Sequence, residues 1–168
     1  MATYLAFNKE SPECLELIKW WQALNNDRGA RAELRRCRNL SEVVFSPAYH
    51  RLRQAILHLD GVGSIHEEGL ATVVGLTARV KVNDETMDIA SQMATGKTGD
   101  TAAVSGLRFR RLLKARDNNE LFILMTRAIA LLGGSVNLQS LAKSVYWWND
   151  RTKKKWAFGY YSKAPDEA

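Results

Sequence analysis

A chain of 168 residues, 46% of them hydrophobic, can bury one compact core or two small helical ones, which excludes global disorder. Its formal net charge of +6 and pI of about 9.5 favour a polyanionic partner. The longest apolar runs are far too short to span a bilayer, and no charged-then-apolar targeting pattern opens the sequence, so a cytoplasmic protein without a membrane partner is expected.

Ser11-Pro12 opens the first predicted helix, because a serine hydroxyl can cap it and a proline in its first turn gives up no hydrogen bond. The helix is predicted to run to about Leu24, with Leu17, Trp20, Trp21 and Leu24 on one apolar face. Asn25-Asn26-Asp27 ends it and caps a second helix, about Arg28 to Arg38. There Ala30 and Leu34 are expected to turn inward, while the spacing of Arg28, Arg31, Arg35 and Arg38 lines them along one side. Ser46-Pro47 repeats the start signal for a helix to about Leu59, ended by Asp60-Gly61-Val62-Gly63. A helix over about 66–81 follows, although "LATVVGLTARVKV" is rich in β-branched residues. Another, from about Asp84 to Met93, leads to "ATGKTGDTAA", a small polar stretch expected to form a linker or loop over 94–103.

Beyond the loop, Phe109, Leu112 and Leu113 mark the inner face of a helix over about 102–116. Leu121, Leu124, Met125, Ala128, Leu131 and Leu132 predict a second, ended by Gly133-Gly134. Leu138, Leu141, Ala142, Val145 and Trp148 predict a third, with Asn137 as its cap. Asp150 is expected to cap a last helix, on which Trp156, Tyr160 and Phe158 reach inward. The pattern is all-α almost throughout.

The charge is unevenly distributed. Residues 1–95 hold 11 Lys/Arg against 12 Asp/Glu, whereas 96–168 hold 13 against 6. Arginines cluster at Arg28–Arg38, at Arg51 and Arg53, and at Arg108–Arg116, with Arg127 beyond; a mixed cluster follows at Arg151–Lys155. A solvated helix face accounts for any one such run. Several together, with arginine preferred over lysine in the first four, fit phosphate better, because the planar guanidinium fork binds it at two points.

Other chemistries fit poorly. Gly96-Lys97-Thr98 is the tail of a phosphate-binding loop, but position 91 holds serine where that motif needs glycine, and a helix is predicted ahead of it. His50, His58 and His66 are eight residues apart, not at the three-to-five spacing of helical metal pairs. Cys14 and Cys37 read as two reduced thiols. Glu67-Glu68 reads as solvated surface. No nucleophile, metal set or cofactor site can be argued, so no enzyme and no cofactor is expected. Trp20-Trp21 and Trp147-Trp148 could stack on bases, but one tryptophan of each pair falls on an apolar face.

"WWQALNNDRGARAELRRCR", "SPAYHRL", "LRFRRLLKARDNNELFILMTRAIALL" and "VNLQSLAKSVYWWNDRTKKKWAFGYY" resemble the CasB family, the small subunit of the type I-E CRISPR surveillance complex Cascade. The similarity covers about residues 13–60 and 104–161, and its most specific parts are W-x-x-L…R-A-x-L-R-R, R-R-L-L and W-W…W-x-F-x-Y-Y. It implies an all-helical protein of two small bundles packed end to end, here divided as 1–95 and 96–168. It implies no catalytic activity, and as partners the other Cascade subunits, a second copy of the chain, guide RNA and the target DNA backbone. Carried over by motif, the nucleic-acid-binding residues are Arg28, Arg31, Arg35, Arg36, Arg108, Arg110, Arg111 and Arg127. Arg53, Lys114, Lys143 and Arg151 join them on charge. Arg36 and Arg110 have a second reading, pairing with acids or meeting a neighbouring subunit. The competing class is a helical protein–protein adaptor, or an RNA-binding accessory protein, unrelated to CRISPR.

Overall fold

The computed structural model describes residues 4–166. In chain order it forms α1 (Pro12–Ala23), a 3-10 turn (Leu24–Asn26), α2 (Arg28–Arg36), α3 (Leu40–Val44), α4 (Pro47–Leu57) and α5 (Glu67–Thr77). Strand β1 (Val82–Asn83) and helices α6 (Ile89–Ala94), α7 (Gly106–Leu113) and α8 (Asn118–Leu131) come next. Strand β2 (Ser135–Val136), α9 (Leu138–Tyr146) and α10 (Asp150–Lys163) complete it. The fold is predominantly α. Among the described residues the only strands are the two-residue parallel pair of β1 with β2, Val82 opposite Ser135 and Asn83 opposite Val136.

Local chemistry sets most helix starts. The side chains of Ser11, Asp27, Ser46 and Asn137 accept from the backbone amides of Cys14, Ala30, Tyr49 and Ser140, as their positions before each helix foretell. Several boundaries differ from expectation. Helix α2 stops at Arg36 because Cys37 is extended, which leaves Arg38 beyond the helix. A short α3 follows that was not expected; Asn39 caps it, accepting from Glu42 N, while the Glu42 carboxylate takes the Arg38 amide at 2.7 Å. Asp84 does not start a helix. Its carboxylate folds back on Thr86 in a local turn, and Asp88 caps α6 instead. Helix α7 starts at Gly106, since Ser105 caps it by accepting from Arg108 N. The last cap is Asn149, not Asp150. Phe158 does not reach inward; it is 78% exposed, because burying Trp156 and Tyr160 turns the intervening residue to the outside.

Helix α5 is the centre of the core. Every residue from Gly69 to Thr77 is buried, so the helix is apolar all round, and tertiary packing overrides the helix reluctance of Thr72, Val73 and Val74. It packs against α3, α8 and α9, while α10 packs against α6. Two glycines permit the approach. A Cβ at Gly69 would lie 2.5 Å from the Tyr146 carbonyl oxygen on α9, and one at Gly75 would lie 2.7 Å from the Phe122 ring on α8.

The tryptophans serve this packing. Trp20 Nε1 donates to Ala48 O at 2.9 Å, Trp21 Nε1 to Val80 O at 2.9 Å, and Trp148 Nε1 to Ala115 O at 3.2 Å. The three histidines are likewise occupied within the protein: His50 and His58 contact the carbonyls of Val44 and Gln54, and His66 stacks on Trp147. Cys14 and Cys37 are buried free thiols, and burial pushes Cys14 up to about 11. Among the described residues no three or more His, Cys, Asp or Glu gather to hold a metal, and no helix is long and apolar enough to cross a membrane.

Candidate nucleic-acid interface

The sequence of α7 alternates between residues that anchor and residues that project. Phe109 stacks on Tyr160 of α10 with ring centroids 3.9 Å apart and planes 5° from parallel. Tyr160 in turn donates its hydroxyl to Val104 O at 2.6 Å. Phe109, Leu112 and Ala115 are buried, so Arg108 and Arg111, three apart, are carried on the side that turns away. Helix α8 answers with Arg127, exposed beside Leu124, Ala128 and Leu131. The three arginines rim a shallow groove of about 60 Å³, floored by Val104, Leu112, Leu124 and Ala128.

Nearby acids do not neutralise them. Asp117 caps α8 by accepting from Glu120 N at 2.8 Å, and the Glu120 carboxylate accepts from Arg116 N at 3.0 Å. Both carboxylates are thus occupied with backbone amides, in the reciprocal pattern of a capping box. Neither Arg108, Arg111 nor Arg127 forms an ion pair among the described residues. Lys114, at the C-cap of α7, and Arg110 are exposed but do not line the groove.

A second basic groove lies along α8. Arg35, Arg79 and Lys81 line a cleft of about 330 Å³ against Thr126, Ile129 and Ala130 of that helix. Residues 126, 129 and 130 face this cleft, and 124, 127, 128 and 131 face the other. Helix α8 therefore has arginine-lined grooves on both flanks. In this second groove the guanidinium groups also have structural work. Arg35 Nε donates to Ala78 O at 2.8 Å, at the C-terminus of α5. Arg79 donates to Gly75 O at 2.6 Å, Arg35 O at 3.0 Å and Cys37 O at 2.8 Å, and lies over the Phe122 ring. The two side chains cap each other's helices, placing cations where carbonyl ends carry partial negative charge. Burial lowers the pKa of both, and each feels a like charge, Arg31 for Arg35 and Arg35 for Arg79.

The remaining candidates divide. Arg28 and Arg36 are exposed on α2, and Arg31 reaches Asn25 Oδ1 at 3.4 Å. Arg53 faces Glu67, which it holds at two points, the shorter 2.6 Å, while Tyr49 donates to the same carboxylate at 2.8 Å. The Arg53 hydrogen bonds hold the Glu67 carboxyl below its ordinary value. Lys143 and Arg151 line a third, larger groove between α9 and α10, of about 620 Å³, together with Lys9 and Lys155. Sequence reasoning passed over Lys9 and Arg79. Nothing local marks Lys9, whereas Arg79 could have been suspected as a charge closing a wholly apolar helix. Six of the twelve candidate cations thus line three grooves: Arg108, Arg111 and Arg127 the first, Arg35 the second, and Lys143 and Arg151 the third, while Arg28, Arg31, Arg36, Arg53, Arg110 and Lys114 line none of them.

The profile of the family described as "CRISPR-associated protein Cse2" matches residues 30–161. No curated protein matches the chain. Among solved structures, one chain of Escherichia coli Cascade bound to a PAM-containing double-stranded DNA target is similar in fold. Its TM-score is 0.68 at 20% identity, over 89% of this chain and 94% of that one. CasB from Thermus thermophilus is also similar, with a TM-score of 0.64 at 22% identity, over 90% of this chain and 99% of that one. With its helical architecture and most of its length matched, the chain belongs to the CRISPR-associated Cse2 family, the CasB family of the sequence motifs.

Proposed function

We propose that this chain is a non-catalytic subunit of a type I-E Cascade complex that holds the opened target DNA and guide-RNA hybrid by sequence-independent phosphate contacts. The observation that carries the reading is the groove between α7 and α8, where Arg108, Arg111 and Arg127 meet without a carboxylate partner among the described residues. The membership in a CRISPR-associated family and the likeness to a chain of a DNA-bound Cascade support the same ligand class.

In RNA-guided recognition base pairing reads the sequence, and exchanging a DNA duplex for an RNA–DNA hybrid is nearly balanced in free energy. A modest protein contribution then decides whether the open state persists. Arginines on helices supply it by neutralising phosphates and releasing condensed counterions. They need no base contacts, and the groove's apolar floor offers few groups to make them. The interface divides labour as follows: Arg108, Arg111 and Arg127 bind phosphate, with Lys114, Arg110 and the α2 arginines Arg28, Arg31 and Arg36 extending the positive surface, while Arg35 is held on the Ala78 carbonyl. The other Cascade subunits and a second copy of the chain complete the surroundings in the cytoplasm.

The test replaces Arg108 and Arg111 together with alanine and measures retention of target DNA by the assembled complex. Faster loss of target with an unchanged unfolding curve supports the reading. Unaltered retention overturns it.

A further inference from the structure

Ahead of α1, residues 4–10 lie along α9 as an extended strap. Its side chains alternate: Leu5 and Phe7 are buried, Ala6 between them is half-buried, and Tyr4, Asn8, Lys9 and Glu10 are exposed. Phe7 sets its ring edge-on against Tyr146 of α9, with centroids 5.3 Å apart. Trp147 Nε1 donates to Leu5 O and Gln139 Nε2 to Phe7 O, each at 2.8 Å, so the strap runs from the C-terminal end of α9 towards its N-terminal end. Both bonds come from side chains. Among the described residues the strap's only backbone-to-backbone hydrogen bond is local, from Ser11 N to Asn8 O at 3.0 Å. It therefore shares no ladder or helix with the core that would make the two open together.

The strap is also strained. Among the described residues Phe7, with φ 52°, and Glu10, with φ 65°, are the only non-glycines with positive φ. There a Cβ crowds the following carbonyl, and such a conformation persists only while its surroundings impose it. Phe7 is at once the deepest anchor, with no exposed surface, and a strained residue, so lifting it out relieves the strain that docking it creates. Beyond Glu10 the chain is fixed again, because Ser11 caps α1 by accepting from Cys14 N at 3.3 Å.

We propose that residues 4–10 form a hinged cover, pivoting at Glu10, that opens and closes on α9 while the helical core stays folded. Closed, it supplies Ala6 and Lys9 to the wall of the groove between α9 and α10. Open, it withdraws both and uncovers the seat of Leu5 and Phe7 beside Tyr146. The groove's width and charge thus change with no movement of α9 or α10.

The test follows the exchange of two indole protons by NMR in the full chain. The Trp147 proton is covered by the strap's Leu5 carbonyl, whereas the Trp20 proton is held by Ala48 O within the helical core. In the unaltered chain the Trp147 proton is expected to exchange at least about tenfold faster than that of Trp20, as a local opening requires. Phe7→Ala removes the anchor and is expected to speed the Trp147 proton about a hundredfold, leaving Trp20 unchanged. Gln139→Ala, a milder change that removes one bond to the strap, is expected to speed it about fivefold, and it decides alone if Phe7→Ala does not fold. Equal rates for the two protons in the unaltered chain overturn the proposal. So does a folded variant that leaves the Trp147 proton unchanged or speeds both protons alike.

Discussion

Two sets of arginines in this molecule contrast in what the protein offers them. At the junction of α2 and α5, Arg79 and Arg35 turn inward and cap helix ends, with Arg79 satisfied by three carbonyls. Between α7 and α8, Arg108, Arg111 and Arg127 turn outward over an apolar floor and find no carboxylate among the described residues. Charge alone does not distinguish the two sets. What distinguishes them is whether the protein itself supplies the acceptor. A guanidinium satisfied by buried carbonyls stabilises the fold, and one left facing solvent is available to phosphate.

The contrast can be broken most forcefully at Arg79. Arg79→Met leaves the carbonyls of Gly75, Arg35 and Cys37 without their donor, and unfolding by denaturant is expected to show a loss of about 3 kcal/mol. A loss below about 0.5 kcal/mol, the size of an ordinary surface change, would place Arg79 with the outward set. Gly69→Ala forces a methyl onto the Tyr146 carbonyl and separates α5 from α9, at a cost of about 2 kcal/mol by the same measurement.

The ion pair of Arg53 with Glu67 sharpens the comparison at a smaller scale. Its partners are partly exposed, with side-chain accessibilities of 28% and 50%, so Glu67→Gln is expected to cost about 0.5 kcal/mol at neutral pH. The sign with pH is fixed by the lowered Glu67 pKa. The carboxylate's contribution is present above the ordinary carboxylate range and fades as pH falls through its lower folded value. Wild type and Glu67→Gln should therefore converge in stability in acid, as unfolding curves measured from neutral pH downward would show.

Much of the fold can be read from short-range chemistry. Ser11-Pro12, Ser46-Pro47, Asp27 and Asn137 mark their helices because a cap needs only its own three neighbours. Helix α5 is legible for a different reason: a run too long for one strand and apolar on all sides has to be a buried helix, whatever its β-branched content. The misses have equally physical causes. Asp84 and Asp88 can each cap a helix, and only folding shows that Asp84 is taken by Thr86. Asn39-Leu40-Ser41-Glu42 held a capping pattern, but the five-residue α3 it starts is shorter than a periodicity can reveal. The pairing of β1 with β2 joins segments some fifty residues apart. In the site, the helical spacing of Arg108 and Arg111 shows which way they project, and the helix pattern of α8 brings Arg127 within reach of the same reasoning. That Arg53 meets Glu67, that Arg35 caps α5, and that Lys9 joins the groove of Lys143 all depend on chain segments meeting in space, which no local pattern carries.

The outward set is tested most directly by the salt dependence of duplex DNA binding, compared between the wild-type chain and Arg108→Ala with Arg111→Ala. Removing two phosphate contacts should reduce the slope of log affinity against log salt by about 2, with no change in the unfolding midpoint. An unchanged slope in a folded double variant would mean that these arginines meet no phosphate and that the α7–α8 groove is not the interface.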